Sequence, residues 1–503
     1  MALIFSFNSF SIFERLNFRI QVTKMRIIIA IIILIGATIN AGAQSKKSNP
    51  KKDAVLKSIQ NHEKELIKLS DDVWSYAETA LKETKSSKAL ADYAESQGFR
   101  VKRGVAGMPT AFTAEYGSGK PIIGIMGEFD ALPGISQKAQ PTKEALVKDA
   151  GGHGCGHNLF GAGSLGAAVA IKELIEQGKL KGTIRFYGTP AEEAVGGKIY
   201  MARDGLFSDV DVCLDWHPDV EIAANMQSSQ AMVDFVVEFK GKAAHAAADP
   251  WNGRSALDGL ELFLDGVNML REHVWPSVRM HYVIQSGGDV PNVVPEYSKV
   301  WMWVRDSKRE GVEKVFARVK DIAKGAALMA GVESKITLQS GDYELLVNQK
   351  GAEALQKNME AIGPIVYTEE EITFAKKIQE VSEGKQTGLD GGIHPLKLTK
   401  ENPEGGSTDV GDISWLVPEI TALVTTAPAN APWHSWAVVA CGGMSIGHKG
   451  LVFAAKSLAM TMVDLYESEQ LRKDIRAEFE NRKGSHVYKG YIPDGPPPIP
   501  TSN

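Results

Sequence analysis

Ile122-Ile123-Gly124-Ile125-Met126 is a short, wholly apolar run, and the segments after it alternate between helix and strand patterns. Leu159 to Ile175 is small and apolar at helical spacing. Thr183-Ile184-Arg185-Phe186-Tyr187 alternates as a strand does, and Val210-Asp211-Val212-Cys213-Leu214 reads as another short strand. Strand runs separated by helical patterns predict an α/β fold, a three-layer α/β/α sandwich around a largely parallel sheet. In such sheets chemistry collects in the loops beyond the strand ends.

Working outward from this block, a helical pattern runs upstream from about Asp53 towards Gln97, and Ser45 to Lys52 is a polar linker. Before the linker, Lys24 and Arg26 flank the apolar run Ile27 to Ile35, and Ala41-Gly42-Ala43 precedes Gln44. A basic flank, a short apolar core and small residues make a secretory signal peptide, read here over 1–44 with Met25 as the true start and cleavage near Ala43. The run is shorter than the roughly 20 residues a spanning helix needs. The expectation is export to the periplasm, with no membrane span in the mature chain.

Downstream, the grammar changes between 229 and 342. Met232 to Phe239 is a strand, Ser255 to His273 a helix, and Met280 to Ile284 and Lys299 to Val304 are strands. A helix from Glu310 to Ala330 and a strand from Ser334 to Leu338 complete the order β-α-β-β-α-β, that of a ferredoxin-like α+β unit. The α/β pattern then resumes with a Gly-rich loop from Gly384 to Gly411, a strand Ile420 to Val424 and a helix Gly450 to Tyr466. The predicted organisation is therefore a catalytic domain in two parts, 50–228 and 343–475, an inserted unit over 229–342, and a polar, proline-rich surface tail over 476–503.

Composition limits what such a protein does. Of 503 residues, 44 % are hydrophobic and 23 % charged, which excludes a disordered, collagen-like or coiled-coil chain. Lys+Arg number 56 against 61 Asp+Glu, so no basic surplus exists to neutralise nucleic-acid phosphates. Three cysteines (Cys155, Cys213, Cys441) are too few and odd in number for a disulfide framework, so one inside a motif carries more weight.

That motif is His153-Gly154-Cys155-Gly156-His157-Asn158, which opens the small apolar helix. Glycines let the backbone fold closely enough for a thiolate and an imidazole two residues apart to face one ion. Pro190-Ala191-Glu192-Glu193 follows one strand, Asp215-Trp216-His217-Pro218 the next, and Pro432-Trp433-His434-Ser435 follows the strand Ile420 to Val424. Each piece alone has an ordinary explanation: a loop histidine that hydrogen-bonds, a solvated Glu-Glu at a helix start. Cys155 with a nearby histidine also suits a thiol nucleophile and its base. The thiol reading leaves Glu192, Glu193, His217 and His434 without a task. One or two ions of the zinc, manganese or cobalt kind employ them all.

These stretches resemble the amidohydrolase branch of the aminoacylase and carboxypeptidase family of dinuclear metallohydrolases. The resemblance extends through Gly127-Glu128-Phe129-Asp130-Ala131-Leu132-Pro133-Gly134, Gly241-Lys242-Ala243-Ala244-His245-Ala246-Ala247 and Val290-Pro291-Asn292-Val293-Val294-Pro295. It continues through Gly406-Ser407-Thr408-Asp409-Val410-Gly411-Asp412 and Trp433-His434-Ser435-Trp436, in the family's order. It implies that Cys155, His157, Glu193, His217 and His434 are metal ligands. Two divalent ions per subunit, Mn²⁺ or Zn²⁺, are expected; Cys155 leans towards Zn²⁺. Glu192 would be the general base, taking a proton from water and handing it to the leaving amine. The inserted unit matches the family's lid, which also pairs subunits. His245 would stabilise the oxyanion, often in the partner's site, while Asn292 and Arg305 would hold a substrate carboxylate.

The chain departs from the family at Glu128-Phe129-Asp130, where much of the wider family has His-x-Asp. Asp130 then remains as a residue that orients a ligand imidazole. Asn158 stands where the branch commonly has Asp. The implied activity is hydrolysis of the amide of a small N-acyl amino acid, an aminobenzoyl-glutamate-like compound. A homodimer, or a heteromer with a homologous subunit, would form through the lid. The alternatives are an exopeptidase or dipeptidase of the same family, and a catalytically silent subunit.

Overall fold

The structure is a computed structural model that describes residues 49–396 and 405–500. The expected export signal lies outside the described residues, as does part of the Gly384–Gly411 loop. A compact unit begins at Lys51 and holds both sheets of the fold.

Along the chain the strands are β1 (Arg100–Arg103), β2 (Phe112–Ser118), β3 (Ile122–Glu128), β4 (Gly182–Thr189), β5 (Val212–Asp219), β6 (Ala223–Ala224), β7 (Ala231–Lys240), β8 (Arg279–Ser286), β9 (Tyr297–Asp306), β10 (Glu333–Ser340) and β11 (Glu419–Thr425). Seven form one sheet in the order β1-β2-β4-β3-β5-β11-β6. The four central strands β4, β3, β5 and β11 are mutually parallel, with antiparallel β1, β2 and β6 at the edges. Their apolar runs follow from this position, because a parallel strand covered on both faces has no wet side. Helices His157–Glu176 and Ser445–Glu467 pack against each other and against the sheet. The first is apolar enough to cross a membrane by composition, yet 89 % of its apolar window is buried inside the protein.

The remaining four strands form an antiparallel sheet in the order β10-β7-β9-β8. Helices Ala256–Leu270 and Arg309–Ala330 pack on one of its faces. Val233, Phe235, Val237 and Phe239 of β7 meet Val300, Met302 and Val304 of β9 in a separate apolar core. The fold is thus the α/β catalytic sheet with an inserted α+β lid that the sequence implies.

Three elements differ from the expectation. The pattern from Asp53 to Gln97 breaks into helices Pro50–Tyr76 and Thr84–Ser96. Between them Ala77 (φ 43) and Leu81 (φ 59) turn left-handed, and the turn bonds to the loop after β3 through Ala131 N–H to Glu78 O at 2.8 Å. Strand β5 runs on to Asp219, because its pairing with β11 continues through Asp219 opposite Thr425, so His217 projects from a strand and not from a loop. The surface tail expected from 476 begins inside a helix, Glu469–Lys483, whose Ile475 and Phe479 are buried.

Beyond that helix the chain straps the junction of the two sheets. Tyr488 Oη donates to Asp412 Oδ1 at 2.7 Å, and Asp412 Oδ2 accepts the Tyr343 N–H at 3.0 Å. The Arg309 guanidinium lies 3.2 Å from the centre of the Tyr491 ring.

Candidate metal centre

The carboxyl ends of β3, β4, β5 and β11 deliver the site. Cys155 and His157 lie on the turn into helix His157–Glu176, where Gly156 adopts φ 81. A side chain on Gly156 would also meet Pro218 at 2.9 Å, so the glycine lets the turn lie against the end of β5. The His157 ring is wholly buried, with Nδ1 2.9 Å from Asp130 Oδ1. Cys155 Sγ lies 3.3 Å from His217 Nε2 and accepts from Trp433 Nε1 at 3.4 Å. His217 Nδ1 donates to the Pro218 carbonyl at 2.7 Å, which leaves Nε2 as a lone pair facing the cleft. Across from it, His434 Nε2 is 3.6 Å from Glu193 Oε2.

Donor atoms of Cys155, His157 and His217 lie within 4.8 Å of one another, and so do those of Cys155, Glu193 and His434. Glu128, His157 and Glu192 form a third such group. Buried His157 Nε2, Glu128 Oε2 and Glu193 Oε1 have no hydrogen-bond partner. Orphaned atoms of this kind are costly unless something positive meets them. Thiolate, imidazole and carboxylate together fit a divalent cation.

The electrostatics agree. Burial raises Glu192 well above the usual carboxyl range, and the carboxylates of Glu128, Glu193 and Asp409 add to it. Glu193 is pushed up to about 7, chiefly by burial. Burial also pushes the Cys155 thiol up to about 12. Against burial, Lys198 and His157 hold Glu128 well below the usual carboxylate range, and Glu128 in turn raises His157 well above the usual imidazole range.

Two carboxylates hold the Glu192-Glu193 turn from either side. Glu83 Oε1 accepts the Ala191 N–H at 3.0 Å and the Leu81 N–H at 2.9 Å. Asp130 Oδ2 accepts the Glu193 N–H at 2.9 Å while its other oxygen faces His157. Ala191 is left-handed at φ 62, a conformation that costs an alanine roughly 1–2 kcal/mol. Beneath the turn, Lys198 Nζ is buried between Glu128 Oε1 at 2.5 Å and Asp409 Oδ1 at 2.6 Å. The sequence alone assigns no role to Glu83, Glu128, Lys198 or Asp409. For Glu128 and Asp409 a signal was present, since they sit inside the 127–134 and 406–412 motifs.

A cleft of about 410 Å³ opens over these residues, with Glu192, Glu193, His217, Trp433 and His434 in its walls. Arg305 reaches its rim, donating from Nη1 to Ser407 Oγ at 3.0 Å. His245 and Asn292 are not brought to this cleft. They sit together on the lid, exposed, with the Ala246 N–H donating to Asn292 O at 3.0 Å. His245 Nδ1 accepts the Ala247 and Ala248 N–H groups at 3.2 and 3.1 Å, which fixes its proton on Nε2.

The profile of peptidase family M20/M25/M40 matches residues 124–396. The chain is also 37 % identical over 461 residues to the B subunit of p-aminobenzoyl-glutamate hydrolase from Escherichia coli (strain K12), covering 86 % of this chain and 95 % of that one. The chain belongs to peptidase family M20/M25/M40. It is 29 % identical to human Xaa-Arg dipeptidase over 82 % of this chain and 88 % of the relative. The M20 fold recurs in the crystal structure of a dinuclear metal-binding peptidase from Bacillus subtilis, at TM-score 0.55 and 18 % identity over 81 % of this chain and 99 % of that one. It recurs again in an aminobenzoyl-glutamate utilization protein from Klebsiella pneumoniae, at TM-score 0.57 and 18 % identity over 78 % and 96 %. Membership of this M20 family makes the protein a hydrolase of amide bonds.

Proposed function

We propose that the protein hydrolyses the amide bond of an N-acyl amino acid of the aminobenzoyl-glutamate kind, with two divalent ions as cofactor. Cys155, His157, Glu193, His217 and His434 hold the ions. The observation that carries this reading is the meeting of these donors around Glu192 at one end of the sheet. When bound, such ions supply Lewis acidity to the scissile carbonyl and lower the pKa of water. Glu192 accepts the proton of the attacking water and returns it to the leaving nitrogen, from its place in the cleft wall beside Glu193 and His217. His245 presents its Nε2–H to the developing oxyanion in the cleft of a second copy. Arg305 and Asn292 hold the substrate carboxylate, Arg305 by its fork.

Similarity to both the B and the A polypeptides of p-aminobenzoyl-glutamate hydrolase supports assembly through the lid, with a second copy or with a homologous chain. The amino-terminal sequence supports export to the periplasm. Carboxylates Asp215 and Asp219 in the cleft favour a second reading, a dipeptidase that receives a cationic group.

The test couples metal analysis of purified protein to hydrolysis of aminobenzoyl-glutamate and of free dipeptides. Chelation is expected to abolish hydrolysis, and added Mn²⁺ or Zn²⁺ to restore it. Glu192→Gln is expected to keep its metal and lose about 10²–10⁴ in kcat. Full activity in metal-free protein overturns the mechanism, and cleavage of free dipeptides alone overturns the substrate class.

A further inference from the structure

We propose that Glu128 is a further donor to the metal centre, held in position by Lys198; this rests on the metal-centre reading of the proposed function. The two oxygens of Glu128, at the end of β3, have different surroundings. Oε1 accepts from Lys198 Nζ at 2.5 Å. Oε2 is buried, has no hydrogen-bond partner, and lies 3.0 Å from His157 Nε2, which also has none. His157 Nδ1 faces Asp130 Oδ1 at 2.9 Å, so Nε2 is the ring atom turned towards Glu128. A pair at 3.0 Å in a dry interior needs a positive charge: a proton on Nε2 when no ion is bound, or a cation held by both atoms, and the donor atoms of Glu128, His157 and Glu192 lie within 4.8 Å of one another.

The spacing fits a cation. Two donors with bonds of about 2.1 Å, set at roughly a right angle on one ion, are about 3.0 Å apart. Cys155 Sγ and His217 Nε2, at 3.3 Å, show the slightly wider spacing expected for a longer metal–sulfur bond of about 2.3 Å. Lys198 cannot supply the missing charge. Its ammonium is already shared between Glu128 Oε1 and Asp409 Oδ1, and its backbone N–H is tied to Asp409 Oδ2 at 2.9 Å. Its effect is to fix one carboxylate oxygen so that the other points at His157. A carboxylate added to the imidazoles of His157 and His217 and the thiolate of Cys155 gives that ion four protein donors, one more than that trio alone.

The experiment titrates metal-free parent, Glu128→Gln and Glu128→Asp with Co²⁺, reading stoichiometry, affinity and the visible absorption of the bound ion. Both variants are expected to bind one of the ions about tenfold or more weakly. The visible band should also intensify, because Co²⁺ with fewer donors absorbs more strongly. Glu128→Asp keeps the charge opposite Lys198 and withdraws the oxygen, so it carries the test should the Gln variant not fold. Parent-like affinity and spectrum in a folded variant overturn the assignment. Weaker binding with an unchanged spectrum also overturns it, because Glu128 would then act only by orienting His157. A parent protein that binds no divalent ion overturns the metal-centre reading itself.

Discussion

Lys198 has no contact with water, and the two carboxylates on its ammonium are equally buried. Removing one member of a buried ion cluster leaves the others uncompensated, at a cost of about 3–5 kcal/mol. Lys198→Met is therefore expected to lower the unfolding free energy of metal-free protein by that order, read from urea titration. Glu83→Ala acts on the turn that carries Glu192. It leaves the buried Leu81 and Ala191 N–H groups unpaired, at about 1–3 kcal/mol each. Releasing the strained Ala191 peptide displaces Glu192, so kcat should fall more than KM rises in steady-state assays. A third prediction concerns Asp342, which burial, and next the Asp409 carboxylate, push up to about 7 against the pull of Arg305 and Arg309. A carboxyl whose pKa is higher folded than unfolded stabilises the fold in acid, and that contribution is lost as pH rises from about 4 through about 7. Asp342→Asn should match the parent near pH 4 and exceed its stability above about pH 7 in metal-free denaturation curves.

At the scale of elements, helix His157–Glu176 brings its histidine to the site by lying very close to β3. A side chain on Gly161 would stand 2.7 Å from the Glu128 carbonyl oxygen, which is backbone and has nowhere to go. On Gly166 it would meet a terminal methyl of Leu66 at 2.5 Å, which can rotate away. Overpacking costs about 1–3 kcal/mol where the neighbour is fixed. Gly161→Ala is expected to melt lower than Gly166→Ala and to bind metal more weakly, measured by calorimetry and metal titration. This helix and the parallel strands were legible in the sequence, because burial on both faces writes continuous apolar runs. The helix ending at Tyr76 was less so. Ala77 and Leu81 carry no local signal for a left-handed turn, and their turn is imposed by bonds to the loop after β3. Lys198 was not legible at all: its partners Glu128 and Asp409 stand 70 and 211 residues away, and nothing nearby marks it as buried. The glycine-spaced cysteine and histidines could be read because their setting is local.

Across the whole molecule, two apolar cores meet at a junction held by polar and aromatic contacts. Tyr488, Tyr491 and Arg309 fasten it, with the buried Asp412 accepting from both the strap and the Tyr343 backbone. Ending the chain after Gly484 is expected to leave both sheets intact and to speed deuterium uptake at 229–231 and 341–347, read by exchange mass spectrometry. The order of the donors along the chain has a bearing on biosynthesis. Cys155, His157, Glu193 and His217 leave the ribosome well before His434, with the whole lid made in between. A chain still being translated can offer at most an incomplete set of donors, and the strand that carries His434 to them, β11, pairs only with β5 and β6. Under the proposed ligand set, capture of both ions waits for residue 434 to be made. A premature stop between residues 217 and 434 leaves Cys155, His157, Glu193 and His217 without His434 to complete the set.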